Sequence, residues 1–301
     1  MIYDVSQLTA FDYAATVPFA QHVLRLTPVD RNGQSVLSMR IDIDPEPIER
    51  VERTDFFGNR LIHIDIAAPH RRLEIKSAAR VRVEPAIPFL AELTPRWEDV
   101  CASALASVDL AAASPVHFVF PSRLVSPSAA IRDYAAASFP PDRPALAGAT
   151  DLMRRIHADF TYAPGSTDVR TLPDEAFRQR RGVCQDFAHV MIAGLRGLGL
   201  PAAYVSGYLR TYPPPGRKRL TGADATHAWV AVWCGQEAGW RGLDPTNAVL
   251  AGEDHIVLAI GRDYADVPPV NGIIVSSDEQ ELHIGVDVVP VETDRARRRG
   301  R

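Results

Sequence analysis

The sequence of 301 residues has few cysteines, no long apolar run and no excess of positive charge. Its three cysteines, Cys101, Cys184 and Cys234, are widely spaced and form no Cys-x-x-Cys pair. This pattern argues against a disulfide framework or a zinc knuckle and favours free thiols in a reducing compartment. No apolar stretch approaches the roughly 18 residues that a membrane-spanning helix needs. Residues 1–19 lack the basic and apolar regions of a secretory signal, so we expect a cytoplasmic protein.

The charge balance gives no reason to expect binding to nucleic acid or to a membrane surface. Lys and Arg total 33, Asp and Glu total 37, and the net charge is −4 with a pI near 6.1. Such a protein has no general attraction to polyanions. One basic cluster, 295–301, carries five arginines, and we expect residues 291–301 to form a disordered tail.

Residues 1–90 are predicted to form an antiparallel β-sandwich or barrel. Short segments between Gln21 and Glu84 alternate apolar and charged side chains, which is typical of strands with one face in water. Turn residues such as Asn32-Gly33 and Gly58-Asn59 separate them. Strands at this spacing, without helical periodicity between them, indicate an all-β domain.

The pattern then changes to an α+β arrangement. Residues 91–147 are predicted to be a helical connecting segment, with short helices at Trp97–Leu105 and Ala129–Ser138. A second domain over 148–290 begins with an amphipathic helix, and a buried helix then starts near Cys184 and ends at Gly199-Leu200-Pro201. Several strands follow up to residue 289, which predicts helix first and antiparallel sheet afterwards.

Cys184 is a candidate nucleophile because of its place in the chain. A thiol attacks carbonyl groups as thiolate, and a helix N-terminus or a neighbouring imidazolium favours that form. Cys184 follows Gly182-Val183 at the predicted start of a helix, and Gly182 would leave room for a substrate backbone. The alternative is a small apolar residue that fills a buried helical face.

His227 and Asp244 extend the argument to a catalytic triad. His227 lies on a predicted strand, and Asp244 ends the next strand before Pro245. Adjacent antiparallel strands can present an imidazole and a carboxylate side by side, with Cys184 on a helix packed against the sheet. Read separately, His227 could be a hydrogen-bonded sheet residue and Asp244 a turn residue.

Three segments resemble the bacterial transglutaminase-like superfamily, whose members are often described as candidate cysteine proteases. They are Gly182-Val183-Cys184-Gln185-Asp186-Phe187-Ala188-His189, Thr226-His227-Ala228-Trp229-Val230 and Gly242-Leu243-Asp244-Pro245-Thr246-Asn247. The preceding β region, with Asp55-Phe56-Phe57-Gly58-Asn59, is similar to the β domain found before the core in many bacterial members. The resemblance implies a papain-like core in which Cys184 is the nucleophile, His227 the general base and acid, and Asp244 the residue that orients it.

The implied reaction proceeds through a thioacyl-enzyme on a peptide or protein amide substrate. The backbone N–H of Cys184 would hold the oxyanion, and Tyr162 and Gln185 are candidates for the second donor. No motif requires a metal or an organic cofactor, and a zinc site from Cys184, His189, His227 and Cys234 lacks ligand-pair spacing. We expect His189 to be structural and Asp186 to cap the first helical turn.

Two other functions stay open at this point. The chain could be an inactive scaffold or binding module that keeps the fold, although all three triad residues are present. The β domain could bind a partner, but no residue pattern indicates which one. The loop 210–224, with three prolines and Arg217-Lys218-Arg219, is either an exposed connection or a basic flap beside the substrate.

Overall fold

The computed structural model describes residues 1–85, 88–212, 225–275 and 279–291. The predicted tail after residue 291 and most of the predicted flap, 213–224, lie outside the described residues. The helices are α1 (Trp97–Leu105), α2 (Ala129–Ala136), α3 (Ala145–Asp159), α4 (Pro173–Gln179) and α5 (Cys184–Gly197), with single 3₁₀ turns at Ala91–Leu93, Pro115–Phe118 and Tyr264–Asp266. None of the helices in these residues is long and apolar enough to cross a membrane.

The strands form two four-stranded sheets, one five-stranded sheet and one short parallel pair within the described residues. Their bounds are β1 (Ile2–Val17), β2 (Ala20–Leu24), β3 (Gln34–Asp44), β4 (Glu49–Thr54), β5 (Arg60–Ile66), β6 (His70–Val83), β7 (Thr161–Tyr162), β8 (Arg181–Gly182), β9 (Ala202–Leu209), β10 (Ala225–Trp233), β11 (Trp240–Asp244), β12 (Val249–Leu250), β13 (His255–Gly261), β14 (Val270–Ile274) and β15 (Gln280–Pro290).

The N-terminal strands form an antiparallel β-sandwich, as the sequence predicts. One sheet has the order β15-β1-β6-β3 and the other β14-β2-β5-β4. Side chains from both sheets meet in one core, including Phe11 and Ile75 from the first sheet and Leu24, Ile62 and Ile64 from the second. Alternate residues of β5 and β6 are buried, which is the consequence of apolar and charged residues alternating along each strand.

The last two strands of the described chain differ from the sequence prediction, which placed residues up to 290 in the second domain. β15 pairs with β1 along its length, from Tyr3 opposite Pro290 to Tyr13 opposite Gln280. β14 pairs with β2 in the other sheet of the sandwich. Alternation shows that a segment is a strand, but it carries no information about which sheet the strand joins. Both sheets of the N-terminal unit are therefore completed by the C-terminal part of the chain.

The helices and the five-stranded sheet share a second core. The sheet has the order β12-β11-β10-β9-β13 and its pairs are antiparallel. α5 is buried along most of its length, with Phe187, Met191 and Leu195 packed in the same cluster as Val230 of β10. Residues of α1, α2 and α3 join this cluster, so the predicted connecting segment is packed onto the core. Helix before antiparallel sheet is the α+β arrangement that the sequence predicts.

Two side-chain amides fasten the sandwich to the open edge of the five-stranded sheet. Gln34 donates to the carbonyl of Val257 (2.9 Å) and accepts from its N–H (2.8 Å). Asn59 makes the same pair of bonds to Ile260, each 2.8 Å long. Both amide side chains are buried, and β13 is the last strand of its sheet. Each amide thus replaces one residue of a missing neighbouring strand. We call these two residues the amide clamp.

Candidate active site

Cys184 is the first residue of α5, so its backbone N–H lies among those that have no acceptor within the helix. The side chain is partly exposed, and a ligand can therefore reach the sulfur. Asp186 caps this end: its Oδ2 accepts from the N–H of Val183 (2.8 Å) and from Thr167 Oγ1 (2.7 Å). Burial raises the pKa of the Asp186 carboxyl.

The structure gives a reason for glycine at position 182 in addition to the room for a substrate backbone that the sequence suggests. A Cβ at this position would lie 2.5 Å from Asp186 Oδ2. The glycine therefore lets the capping carboxylate approach the backbone before Cys184. Asp186 was expected to cap the helix, and the hydrogen bond from the N–H of Val183 confirms that role.

His227 lies between the Cys184 thiol and the Asp244 carboxylate. It lies on β10 opposite Gly207 of β9, is 7% exposed, and its Nε2 is 2.8 Å from Asp244 Oδ2. The Cys184 thiol lies close enough to the same imidazole to affect its pKa. Burial alone would lower the pKa of His227, but the hydrogen bonds to Asp244 and Cys184 raise it to about 9. These partners therefore favour the charged form of the ring.

Asp244 is fully buried and accepts hydrogen bonds on both oxygens. Oδ1 accepts from the backbone N–H groups of Thr246 (2.9 Å) and Asn247 (3.2 Å). Oδ2 accepts from Asn247 Nδ2 (2.7 Å) as well as from His227. Burial by itself would raise the pKa of Asp244, but donors led by His227 hold it well below its usual range. A carboxylate so held can orient an imidazolium.

A second histidine, His255, also donates to this carboxylate, although no sequence pattern indicates it. His255 Nε2 is 3.2 Å from Asp244 Oδ2, and the residue is 7% exposed. It begins β13, two strands away from β10 in the sheet. No spacing motif links His255 to Asp244 in the sequence. Only the strand order brings them together.

His227, Asp244 and His255 have the residue types of a metal site, and their ligand atoms lie within 4.8 Å of one another. The hydrogen bonds do not fit that role. His255 Nδ1 accepts from the N–H of Gly252 (3.3 Å), so the ring proton lies on Nε2, where a metal would need a lone pair. Asp244 Oδ2 is already occupied by an amide donor at 2.7 Å. Hydrogen bonds from the two imidazoles to the Asp244 carboxylate therefore account for this cluster without a metal ion.

The two candidates for the second oxyanion donor have different surroundings. Tyr162 is 53% exposed and lies on β7, opposite Gly182 of β8. Burial of part of its ring, and to a smaller degree the charge of Cys184, raises the pKa of the phenol. Gln185 is buried and donates from Nε2 to the carbonyl of Val169 (3.2 Å). One N–H of the Gln185 side chain is thus already in use, whereas the Tyr162 side chain is exposed and its ring lies near Phe187 of α5.

The remaining residues singled out from the sequence lie in packing positions. His189 is 1% exposed and its Nε2 accepts from the N–H of Tyr264 (3.2 Å), which confirms a structural role. Cys234 is buried in the helical core, and Trp229 packs in a smaller cluster with Phe118. Of the predicted flap, residues 210–212 are described, and the Tyr212 hydroxyl donates to Asp254 Oδ2 (2.9 Å).

Comparison with known proteins identifies the family. Residues 3–82 match the bacterial transglutaminase-like N-terminal region, and residues 132–245, which include Cys184, His227 and Asp244, match the transglutaminase-like superfamily. An uncharacterised protein of Mycobacterium tuberculosis is 42% identical over 299 residues, covering 97% of this chain and 94% of that protein. The protein belongs to the transglutaminase-like superfamily, as its sequence motifs indicate.

Two other known proteins are similar to this chain, one in part of its sequence and one in its fold. A protein-glutamine γ-glutamyltransferase of Pseudomonas aeruginosa is 37% identical over 101 residues, which is 33% of this chain and 15% of that protein. The crystal structure of a candidate cysteine protease from Cytophaga hutchinsonii superposes with a TM-score of 0.77 at 20% identity, covering 98% of this chain and 92% of the other. At that identity the superposition shows a shared fold over both units.

Proposed function

We propose that the protein cleaves or transfers amide bonds through a Cys184–His227–Asp244 triad. The observation that carries the proposal is the geometry at His227. Its ring bonds a buried carboxylate on one side and meets a partly exposed thiol at a helix N-terminus on the other. A charged imidazole and the positive end of a helix both favour the thiolate. Membership of the superfamily supports the same chemistry.

The proposed reaction has two steps. The Cys184 sulfur forms a bond to the amide carbonyl carbon, and the C–N bond breaks as His227 gives its proton to the leaving amine. A thioacyl-enzyme remains. His227 then takes a proton from the second acceptor, which attacks the thioester carbon and releases the thiolate. Water yields a carboxylic acid, and a primary amine yields a new amide.

Hydrolysis is the favoured outcome because water is the ubiquitous acceptor, and no residue marks an amine site. The similarity to a γ-glutamyltransferase supports glutamine side chains as one class of acyl donor to be tested. The proposed substrate is a peptide or protein amide, with no cofactor and no role for nucleic acid or membrane. The three unpaired cysteines fit a cytoplasmic location.

The first test measures the reactivity of each thiol by iodoacetamide labelling and mass spectrometry. Burial raises the pKa of Cys101 and Cys234 to about 12, so both act as internal controls. We expect Cys184 to react at least about tenfold faster than either at neutral pH, and to lose this advantage in His227→Ala. Equal labelling of Cys184 in the wild type and in His227→Ala would contradict the proposal.

A screen of glutamine peptides and other amides, with and without a primary amine, then separates hydrolysis from transfer. Cys184→Ala must abolish any turnover found, whereas the matched variant Cys101→Ala must keep it. The runner-up function is an inactive scaffold. Turnover that persists in Cys184→Ala would contradict the proposed triad. A Cys184 that is accessible but no more reactive than a free thiol would favour the scaffold.

A further inference from the structure

Two imidazoles donate to the Asp244 carboxylate, and the second of them, that of His255, takes no part in the proposed reaction steps. Its Oδ2 accepts from His227 Nε2 at 2.8 Å and from His255 Nε2 at 3.2 Å. We propose that His255 is a positioning residue that fixes the Asp244 carboxylate for His227. This inference rests on the proposed function and adds a fourth residue to its machinery.

The hydrogen bonds define which nitrogen of His255 carries the proton. The N–H of Gly252 points at Nδ1 from 3.3 Å, so Nδ1 accepts and Nε2 donates. His255 thus donates from Nε2 and connects the backbone before β13 to the carboxylate, which helps to fix the orientation of Asp244.

The packing around His255 leaves its ring little freedom. The Trp229 ring lies edge-on to it, with centroids 5.1 Å apart, and is stacked against His227 at 6.1 Å. Gly207 makes room for this indole, because a Cβ there would lie 2.6 Å from the ring. The amide clamp holds the outer edge of β13, the strand that His255 begins.

Among the described residues, the titratable side chains that donate to Asp244 are His227 and His255. Its other donors are the Asn247 side chain and the backbone N–H groups of Thr246 and Asn247. Beyond His227 lies Cys184, and His157 Nδ1 contacts the carbonyl of Thr246 at 2.8 Å. Loss of the His255 donor would leave Oδ2 held by His227 and Asn247. The carboxylate could then turn, and the imidazole would lose its fixed orientation toward the thiol.

The experiment compares the labelling rate of Cys184 in His255→Leu, which removes the donor, and His255→Gln, which keeps an N–H at similar reach. Rates are measured from about pH 5 to about pH 9. A thiolate paired with an imidazolium stays reactive toward the acidic end of this range. We expect the rate of His255→Leu near the acidic end to fall about tenfold, since misplacing a catalytic group by about 1 Å can cost on the order of 10²-fold. His255→Gln should stay within about threefold of the wild type.

Two controls separate the outcomes. His22→Gln changes a buried histidine of the sandwich and should leave the profile unchanged. If His227→Ala flattens the advantage of Cys184 but His255→Leu behaves as the wild type, the positioning role is wrong and the triad stands. If His227→Ala changes nothing, the proposed function itself fails.

A measurement on the unaltered protein covers the case in which His255→Leu does not fold. Nitrogen NMR of the histidine side chains, recorded where the His255 ring is uncharged, should show its proton on Nε2. The His227 resonances should shift in His255→Gln, which replaces a ring donor on the same carboxylate. A proton on Nδ1 of His255 would overturn the proposal.

Discussion

The imidazole of His227 contributes stability that depends on pH. Its pKa is raised to about 9 in the folded protein, above the ordinary value of 6.5. A group with a raised folded pKa stabilises the fold fully below its unfolded pKa, and this contribution is lost as the pH rises through the folded pKa. The favourable contribution of His227 is therefore present near pH 6 and gone above about pH 9.

We predict that His227→Gln lowers the free energy of unfolding most below about pH 6.5, by an amount of the order of 3 kcal/mol at most. The difference from the wild type should shrink steadily toward about pH 9. Urea unfolding at a series of pH values measures it. A difference that is constant over this range, or that grows as the pH rises, would contradict the pairing of His227 with Asp244.

The sequence was sufficient to find the three residues of the proposed triad but not their surroundings. Cys184, His227 and Asp244 each lie at a recognisable point of an element, and their order matches a family pattern. His255 has an ordinary strand sequence around it, and its contact with Asp244 arises from strand order and a bend of the chain at Gly252. The second oxyanion donor stays a prediction, because the position of a carbonyl oxygen depends on the bound substrate.

At the scale of elements, β15 completes the first sheet of the sandwich. It covers the edge of β1, and its Val286 and Val288 are buried against Tyr3 and Val81. Burial of each valine contributes about 1.5–3 kcal/mol, in addition to the hydrogen bonds of the strand pair. β14 similarly covers the edge of β2.

We predict that a chain ending after Pro268 melts at a clearly lower temperature than the full chain and aggregates, because two sheet edges become exposed. A chain ending after Val291 keeps both strands and is the matched control, with an unchanged melting temperature. Circular dichroism on heating and gel filtration check both. Equal melting temperatures of the three chains would show that the C-terminal strands contribute nothing to the sandwich.

Element types were predicted more reliably than element partners. The helix expected at Trp97–Leu105 is α1 with the same bounds, and the helix expected from Cys184 is α5. β1 escaped prediction although it is the longest strand of the described residues. Its buried positions include Gln7 and Thr9, which bond each other (2.8 Å), so the apolar alternation is interrupted. A polar pair on a buried face removes the signal on which periodicity depends.

At the scale of the whole molecule, the amide clamp determines how the two units are joined. The Gln34 side-chain amide forms hydrogen bonds with both the N–H and the C=O of Val257, and it also donates to the carbonyl of Val29 (3.0 Å). An apolar side chain of similar size would leave the N–H and C=O of Val257 buried without their partner. Each such group costs about 1–3 kcal/mol.

We therefore predict that Gln34→Leu lowers the free energy of unfolding by about 2 kcal/mol or more. Gln21→Leu is the matched control, because the Gln21 side chain bonds Asp65 at the surface, and its effect should stay within about 0.5 kcal/mol. Urea unfolding measures both variants, and hydrogen exchange at Val257 should speed up in the first alone. An unchanged exchange rate at Val257 would mean that the amide does not hold this strand.

The clamp also affects how molecules of this protein meet one another. An uncovered edge strand invites a strand from a neighbouring molecule, and proteins avoid this by covering or interrupting such edges. β13 has its outward N–H and C=O groups at Val257 and Ile260 already bonded within the molecule. A strand from a second copy could add there only by displacing both amides. The sandwich thus protects the sheet that carries His227 and Asp244 from edge-to-edge association at high concentration.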